Sequence, residues 1–178
     1  MKKLVLIFTA IVMIVSMTTT VLAQSSATKT QEAGAKIVTA LTLSSDQRLD
    51  FGTMSIPNAA EDIVMSTAAI RTPSVPLGIA LMAGTAKNAK YTVTGTAGYN
   101  YTITLPGNEA VKISATGAAD MKVINFTALV GTNTANGTSG TIGSGGTQDF
   151  VVGATLQLKS GQEVGDYKGN FDITVAYD

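Results

Sequence analysis

The chain reads as an all-β protein, an antiparallel β-sandwich, and three observations predict it. Short runs of alternating apolar and polar residues recur along the chain, separated by Gly, Pro, Asn and Asp. Thr, Gly, Ala and Val dominate, of which Thr and Val favour the pleated surface of a sheet, and the Leu-rich periodicity of helices is missing. The chain also closes on Phe171, Ile173, Val175 and Tyr177, alternating with Asp172, Thr174 and Ala176. That period of two puts every large apolar side chain on one face of a strand.

The N-terminus predicts export. Met1-Lys2-Lys3 is a positive start, Leu4 to Met17 is apolar apart from Thr9 and Ser16, and Val21-Leu22-Ala23 ends on a small residue. This is the pattern of a signal segment, residues 1–23, cleaved after Ala23. The apolar run is shorter than the roughly 20 residues that span a bilayer, so no membrane span is expected after cleavage. The exported chain would reside in the periplasm, at the cell surface or outside the cell.

About 155 residues remain, the size of one domain. Loss of Lys2 and Lys3 leaves ten basic against twelve acidic residues, a net charge of −2. A surface so close to neutral gives no electrostatic reason to bind nucleic acid or acidic membranes. With no Cys, no disulfide supports the fold, which must stand on its apolar core or on a neighbour's.

The elements follow in order. Residues 24–34 are polar and aperiodic, and one domain is expected over 35–178. Ala35, Ile37, Leu41 and Leu43 give the first strand an apolar face. Leu49 to Thr53 reads as a short strand, Asp62 to Ser66 as another, and Pro73 and Pro76 bracket an irregular link. Tyr91 to Gly95 and Tyr99 to Leu105 read as a hairpin joined through Thr96-Ala97-Gly98. Val111 to Ala115 and Lys122 to Val130 are strands, Gly131 to Gly146 a flexible Gly-rich loop, and Phe150 to Leu158 a long strand. A turn over Gly161 to Gly165 then leads to the last strand.

Chemistry is mostly absent from the sequence. With neither His nor Cys, the usual general base, thiol nucleophile and transition-metal ligands are missing, and no catalytic residue, metal or cofactor is expected. Glu61-Asp62 reads as a solvated cap at a turn. Asp149, Glu163, Asp166 and Asp172 lack the spacing of a calcium loop. Gly140 to Gly146 lacks the Lys-Ser/Thr ending of a phosphate-binding loop. Asn100-Tyr-Thr, Asn125-Phe-Thr and Asn136-Gly-Thr match the glycosylation triplet, as chance allows in a Thr-rich chain. Tyr91, Tyr99 and Tyr101 read as cross-strand packing, with a sugar-stacking platform as the functional alternative.

Leu49-Asp-Phe-Gly52, Tyr91-Thr-Val-Thr-Gly95, Tyr101-Thr-Ile-Thr-Leu-Pro106, Val152-Gly-Ala-Thr-Leu156 and Gly165-x-Tyr-x-Gly169 leading to Val175-x-Tyr177 together resemble the exported bacterial family called domain of unknown function 4402. The resemblance covers Ile37 to Asp178. That family is in turn similar to spore coat protein U and to pilin subunits of the chaperone-usher route, through the L-x-F-G strand and the G-x-Y…V-x-Y ending. The resemblance implies an Ig-like, pilin-like sandwich that lacks a strand.

It also implies a site. Gly165, fourteenth from the end, and Phe171, Ile173, Val175 and Tyr177 would line an acceptor groove. A periplasmic chaperone would fill it first, and the N-terminal strand of another copy or a related subunit would replace it. The candidate donor is Ala35, Ile37, Leu41 and Leu43, which serves either as donor or as the sandwich's own first strand. The expected function is therefore a structural subunit of a surface filament or coat; the alternative is a freestanding adhesin or carbohydrate-binding module.

Overall fold

The structure, a computed structural model, describes residues 26–76, 78–84 and 86–178. The signal segment expected over 1–23 lies outside them. The chain divides into two units, Met1–Lys36 and Ile37–Asp178. In the first, residues 26–36 form no strand and are exposed at every position.

The second unit is all-β and antiparallel. Its strands are β1 (Thr42–Gln47), β2 (Glu61–Met65), β3 (Arg71–Pro73), β4 (Ala89–Thr94), β5 (Asn100–Thr104), β6 (Val111–Ile113), β7 (Met121–Val130), β8 (Ser139–Thr141), β9 (Thr147–Leu158) and β10 (Thr174–Tyr177). β9 organises the larger, seven-stranded sheet. One of its edges pairs with β7 from Lys122↔Gln157 to Val130↔Phe150. The other takes β4 beside its first half and β2 beside its second. β1, β3 and β6 pair outside β4, β2 and β7. A smaller sheet has the order β10, β5, β8.

β9 can serve three neighbours because it runs for twelve residues, and one of its faces, with Val152, Ala154, Leu156 and Leu158 all buried, supplies the core along most of that length. β7 reaches its whole length by carrying a bulge between Ile124 and Thr127. Asn125 sits there at φ 52°, a left-handed conformation that Asn tolerates. Its N–H donates to Asn108 Oδ1 (2.8 Å). The local twist that a bulge adds is what wraps so long a strand around the core.

Two apolar clusters fill the domain. The second contains Val93, Tyr101, Ile103, Ile142, Phe150 and Val152, and lies between the large sheet and the small one. The first contains Phe51, Ile63, Met65, Val111, Val123, Leu156 and Leu158. No residue of β5, β8 or β10 belongs to it. Half of the large sheet thus has irregular chain over it where a sandwich would have a second sheet.

Three expectations are corrected. Tyr91 to Gly95 and Tyr99 to Leu105 do not form a hairpin, because β4 has both edges taken, by β1 and β9. The chain crosses between sheets instead, and β5 pairs with β8 and β10. The stretch from Gly131 to Gly146 is not all flexible loop. It holds β8, and Ile142 is 1% exposed in the second core. Gly140 lets β8 pass over the Tyr101 ring, where a Cβ would come within 2.6 Å of the hydroxyl. Glu61, expected as a solvated cap, is buried at the start of β2 and accepts from the Val75 N–H (3.0 Å).

The packing under Gly140 leaves the Tyr101 hydroxyl buried with no hydrogen-bond partner. Burial, and then the charge of Asp149, push its pKa up from 10.0 to about 12. The unfolded chain therefore loses this proton first as the pH rises, and stability falls between pH 10 and 12. Tyr101→Phe removes the unpaired oxygen. It is expected to stabilise the domain by about 1 kcal/mol at neutral pH and to flatten the alkaline limb, which urea titrations across that range will read.

Candidate functional site

Between this half of the large sheet and the irregular chain over it lies a groove of about 930 Å³. Its floor is Val111 and Ile113 from β6, Met121 and Val123 from β7, and Leu156 and Leu158 from β9. One wall is Arg48–Pro57 and the other Gln162–Phe171. Two further apolar side chains in its lining, Ile56 and Val164, are 52% and 82% exposed. Val111, Met121, Val123, Leu156 and Leu158 are themselves buried, so side chains of the two walls, Phe51, Tyr167 and Phe171 among them, already pack over much of the floor.

The first wall is not a regular strand, although Leu49 to Thr53 is expected to be one. Single bridges, Asp50↔Lys87 and Met54↔Leu81, hold it. Between them the chain turns through Gly52 at φ 67°, whose N–H donates to Asp50 Oδ1 (2.8 Å). Arg71 staples the turn. Its Nη1 donates to Phe51 O (2.8 Å) and Thr53 O (3.1 Å), and its Nη2 to Met82 O. The planar fork holds donors on two separate nitrogens in fixed directions toward the three carbonyls, which the single nitrogen of an ammonium does not. Both Arg71→Ala and Arg71→Lys should therefore lower stability, the alanine by about 2–3 kcal/mol, measured by chemical denaturation.

The second wall rests on β6 and on the loop after it. Lys168 bridges Ser114, and Gly169 lies so close to Lys112 O that a Cβ would collide with that backbone oxygen. Gly165 is exposed, and a Cβ there would meet Ala115 Cβ at 3.0 Å. Gln162 Nε2 donates to Ala119 O (2.6 Å) and to Tyr167 Oη (2.9 Å), and Tyr167 Oη donates to Glu163 O (2.8 Å). Phe171 packs on Phe126, ring centroids 5.0 Å apart, and the wall then runs into β10.

Among the described residues β10 pairs with β5 alone, from Thr174↔Thr104 to Tyr177↔Tyr101, so its other edge carries no strand. Phe171, Ile173, Val175 and Tyr177 are half-buried and alternate with exposed residues. All four pack on the second core, as their spacing predicts.

The expected strand from Ala35 to Leu43 divides. Leu41 and Leu43 pack into that same second core, and β1 begins at Thr42 beside Thr94. Residues 35–41 form no strand, Ala35 is exposed and Ile37 is 95% exposed. The reason is the partner: β4 ends at Thr94, and beyond it the bonds that reach Thr39 come from side chains and not from a paired strand. Thr39 N instead donates to Thr96 Oγ1 (2.8 Å). Tyr177 Oη accepts from Thr96 N (2.8 Å) and donates to Thr39 O (2.9 Å), which ties the last strand to the place where the chain enters the fold. β1 does not pair with β10.

The other candidates do not gather. Tyr91 stacks on Phe150 (5.1 Å), Tyr99 meets Tyr177 edge-on (5.8 Å) and Tyr101 is fully buried, so the three tyrosines form no common exposed platform. Asp149, Glu163, Asp166 and Asp172 are each exposed. Arg71 and Gln162 escape the sequence reading because neither lies in an apolar pattern. The floor residues were legible as strands, but not as the floor of a groove.

A family model described as domain of unknown function (DUF4402) matches residues 41–177. No curated protein and no solved structure matches the chain.

Proposed function

Because the chain belongs to the domain of unknown function 4402 family, we propose its role from geometry: it is an exported structural subunit that assembles by donating a strand to the groove of another copy. The observation that carries this reading is the groove itself. It combines a floor of apolar residues with two walls, Arg48–Pro57 and Gln162–Phe171, and the second wall leads along the chain into β10, whose outer edge carries no strand among the described residues. A free edge beside an apolar slot templates addition of an extended segment, with main-chain bonds for affinity and alternate side chains for register.

The donor is the stretch before β1. Leu41 and Leu43 belong to the domain's own core and Thr39 is bonded to Thr96 and Tyr177, so the insert is drawn from residues 26–38, with Ile37 as its large anchor. Ser26 to Val38 reaches about 43 Å when extended, ample for the groove. The family match begins at Leu41, so this segment precedes the matched domain. A contact in which one surface gives and a different one receives builds an open filament. In the pilin scheme that the resemblance implies, a periplasmic chaperone holds the groove until the next subunit arrives.

Size-exclusion chromatography tests this. The chain from Gln24 onward should form a ladder of polymers, and a chain lacking residues 24–38 should remain monomeric at the same concentration. Monomers from both would end the proposal.

A further inference from the structure

We propose that Gln162 sets the register of the inserted strand: its side-chain oxygen accepts one backbone N–H from the segment that a second copy lays in the groove. This rests on the strand-donation reading and adds the contact that reads the insert's position. Gln162 is 6% exposed and belongs to the groove lining. Both hydrogens of its amide are used, one on Ala119 O and one on Tyr167 Oη. The phenol's own hydrogen goes to Glu163 O, so the phenol can only accept from Gln162. Reversing the amide would press its oxygen against the Ala119 carbonyl, and the network therefore fixes which end is which.

Oε1 is left buried without a donor. A buried carbonyl oxygen is destabilising until something donates to it. A strand held between Arg48–Pro57 and Gln162–Phe171 brings N–H groups along both of its edges, every second residue on each. One of them completes the amide. Apolar pockets alone accept an insert shifted by two residues with little penalty, because alternate side chains still point inward. An orphan acceptor at one fixed point distinguishes these registers. The occupant is the second copy's stretch before Thr39, which has no strand of its own and carries the exposed Ile37.

The test uses the full chain from Gln24, carrying Ile37→Asp so that its own donor is disabled, and a labelled peptide of residues 26–40. Peptides in which single backbone N–H groups are replaced by ester oxygens are compared by fluorescence anisotropy on this chain and on the same chain with Gln162→Leu. At one ester position affinity should fall about tenfold on the Gln162 chain and by no more than about twofold on the Gln162→Leu chain. If the unmodified peptide does not bind, the strand-donation reading falls, and this proposal with it. If it binds but no ester position distinguishes the two chains, only the role of Gln162 is overturned. Gln162→Met, similar in shape and without the oxygen, gives the same comparison where the leucine variant fails to fold.

Discussion

Gly153→Ala is expected to lower the stability of the domain by about 3 kcal/mol, and Gly153→Val to prevent folding. Gly153 is buried in the middle of β9, where the chain leaving β2 passes directly over it. A Cβ would collide with Met65 O and stand 2.9 Å from Ser66 C and 3.1 Å from Thr67 N. All three are backbone atoms, so no side chain can swing aside. The backbone there is also held from outside. Ser66 N donates to Ile70 O (2.9 Å), and Asn88 Nδ2 to Thr67 O (2.5 Å). Any shift to admit the methyl must break these bonds or part β2 from β9, which carries three neighbouring strands. Thermal unfolding should show a midpoint lowered by roughly 6–12 °C. A variant within about 0.5 kcal/mol of the original would mean that the turn does not cross there.

Ile37→Asp should do the opposite: leave the monomer unchanged and abolish assembly. Ile37 is 95% exposed, so its replacement in an isolated chain should change stability by no more than about 0.5 kcal/mol. In an inserted strand the same side chain is buried, a gain of about 1.5–3 kcal/mol, and an aspartate must be desolvated in its place. Together these weaken insertion at least about a hundredfold. Leu41→Ala is the informative contrast. Leu41 packs in the domain's own second core, so its loss should show in the monomer's unfolding curve. Sedimentation of the two variants at matched concentration separates donor from core. Polymers of Ile37→Asp that form as readily as those of the original would exclude this segment as the donor.

The strands that read clearly in the sequence are those whose alternation meets a partner throughout, such as β2, β7 and β9. The closing strand was legible as an apolar face because Ile173, Val175 and Tyr177 do enter a core. What stayed hidden depends on edges. Alternation records which way side chains point but not which backbone lies alongside. The hairpin expected between Tyr91 and Leu105 fails for that reason, as does the strand expected from Ala35, which outruns its partner at Thr94. β8 was hidden because its residues, Ser139-Gly140-Thr141, are chosen to pass over Tyr101 and not for their strand preference. Gln162 was invisible because a glutamine in a turn shows nothing of whether its oxygen has a donor.

In the filament proposed above, the two bonds made by the Tyr177 hydroxyl would decide how each subunit responds to pulling. Traction along such a filament would enter each subunit through the segment that reaches the fold at Thr39. Without a tie there, the pull would peel β1 from β4 one hydrogen bond at a time. Tyr177 Oη holds Thr39 O and Thr96 N together, and its own strand is laced to β5. The load is therefore shared from the first residue among a strand of each sheet and the crossing between them.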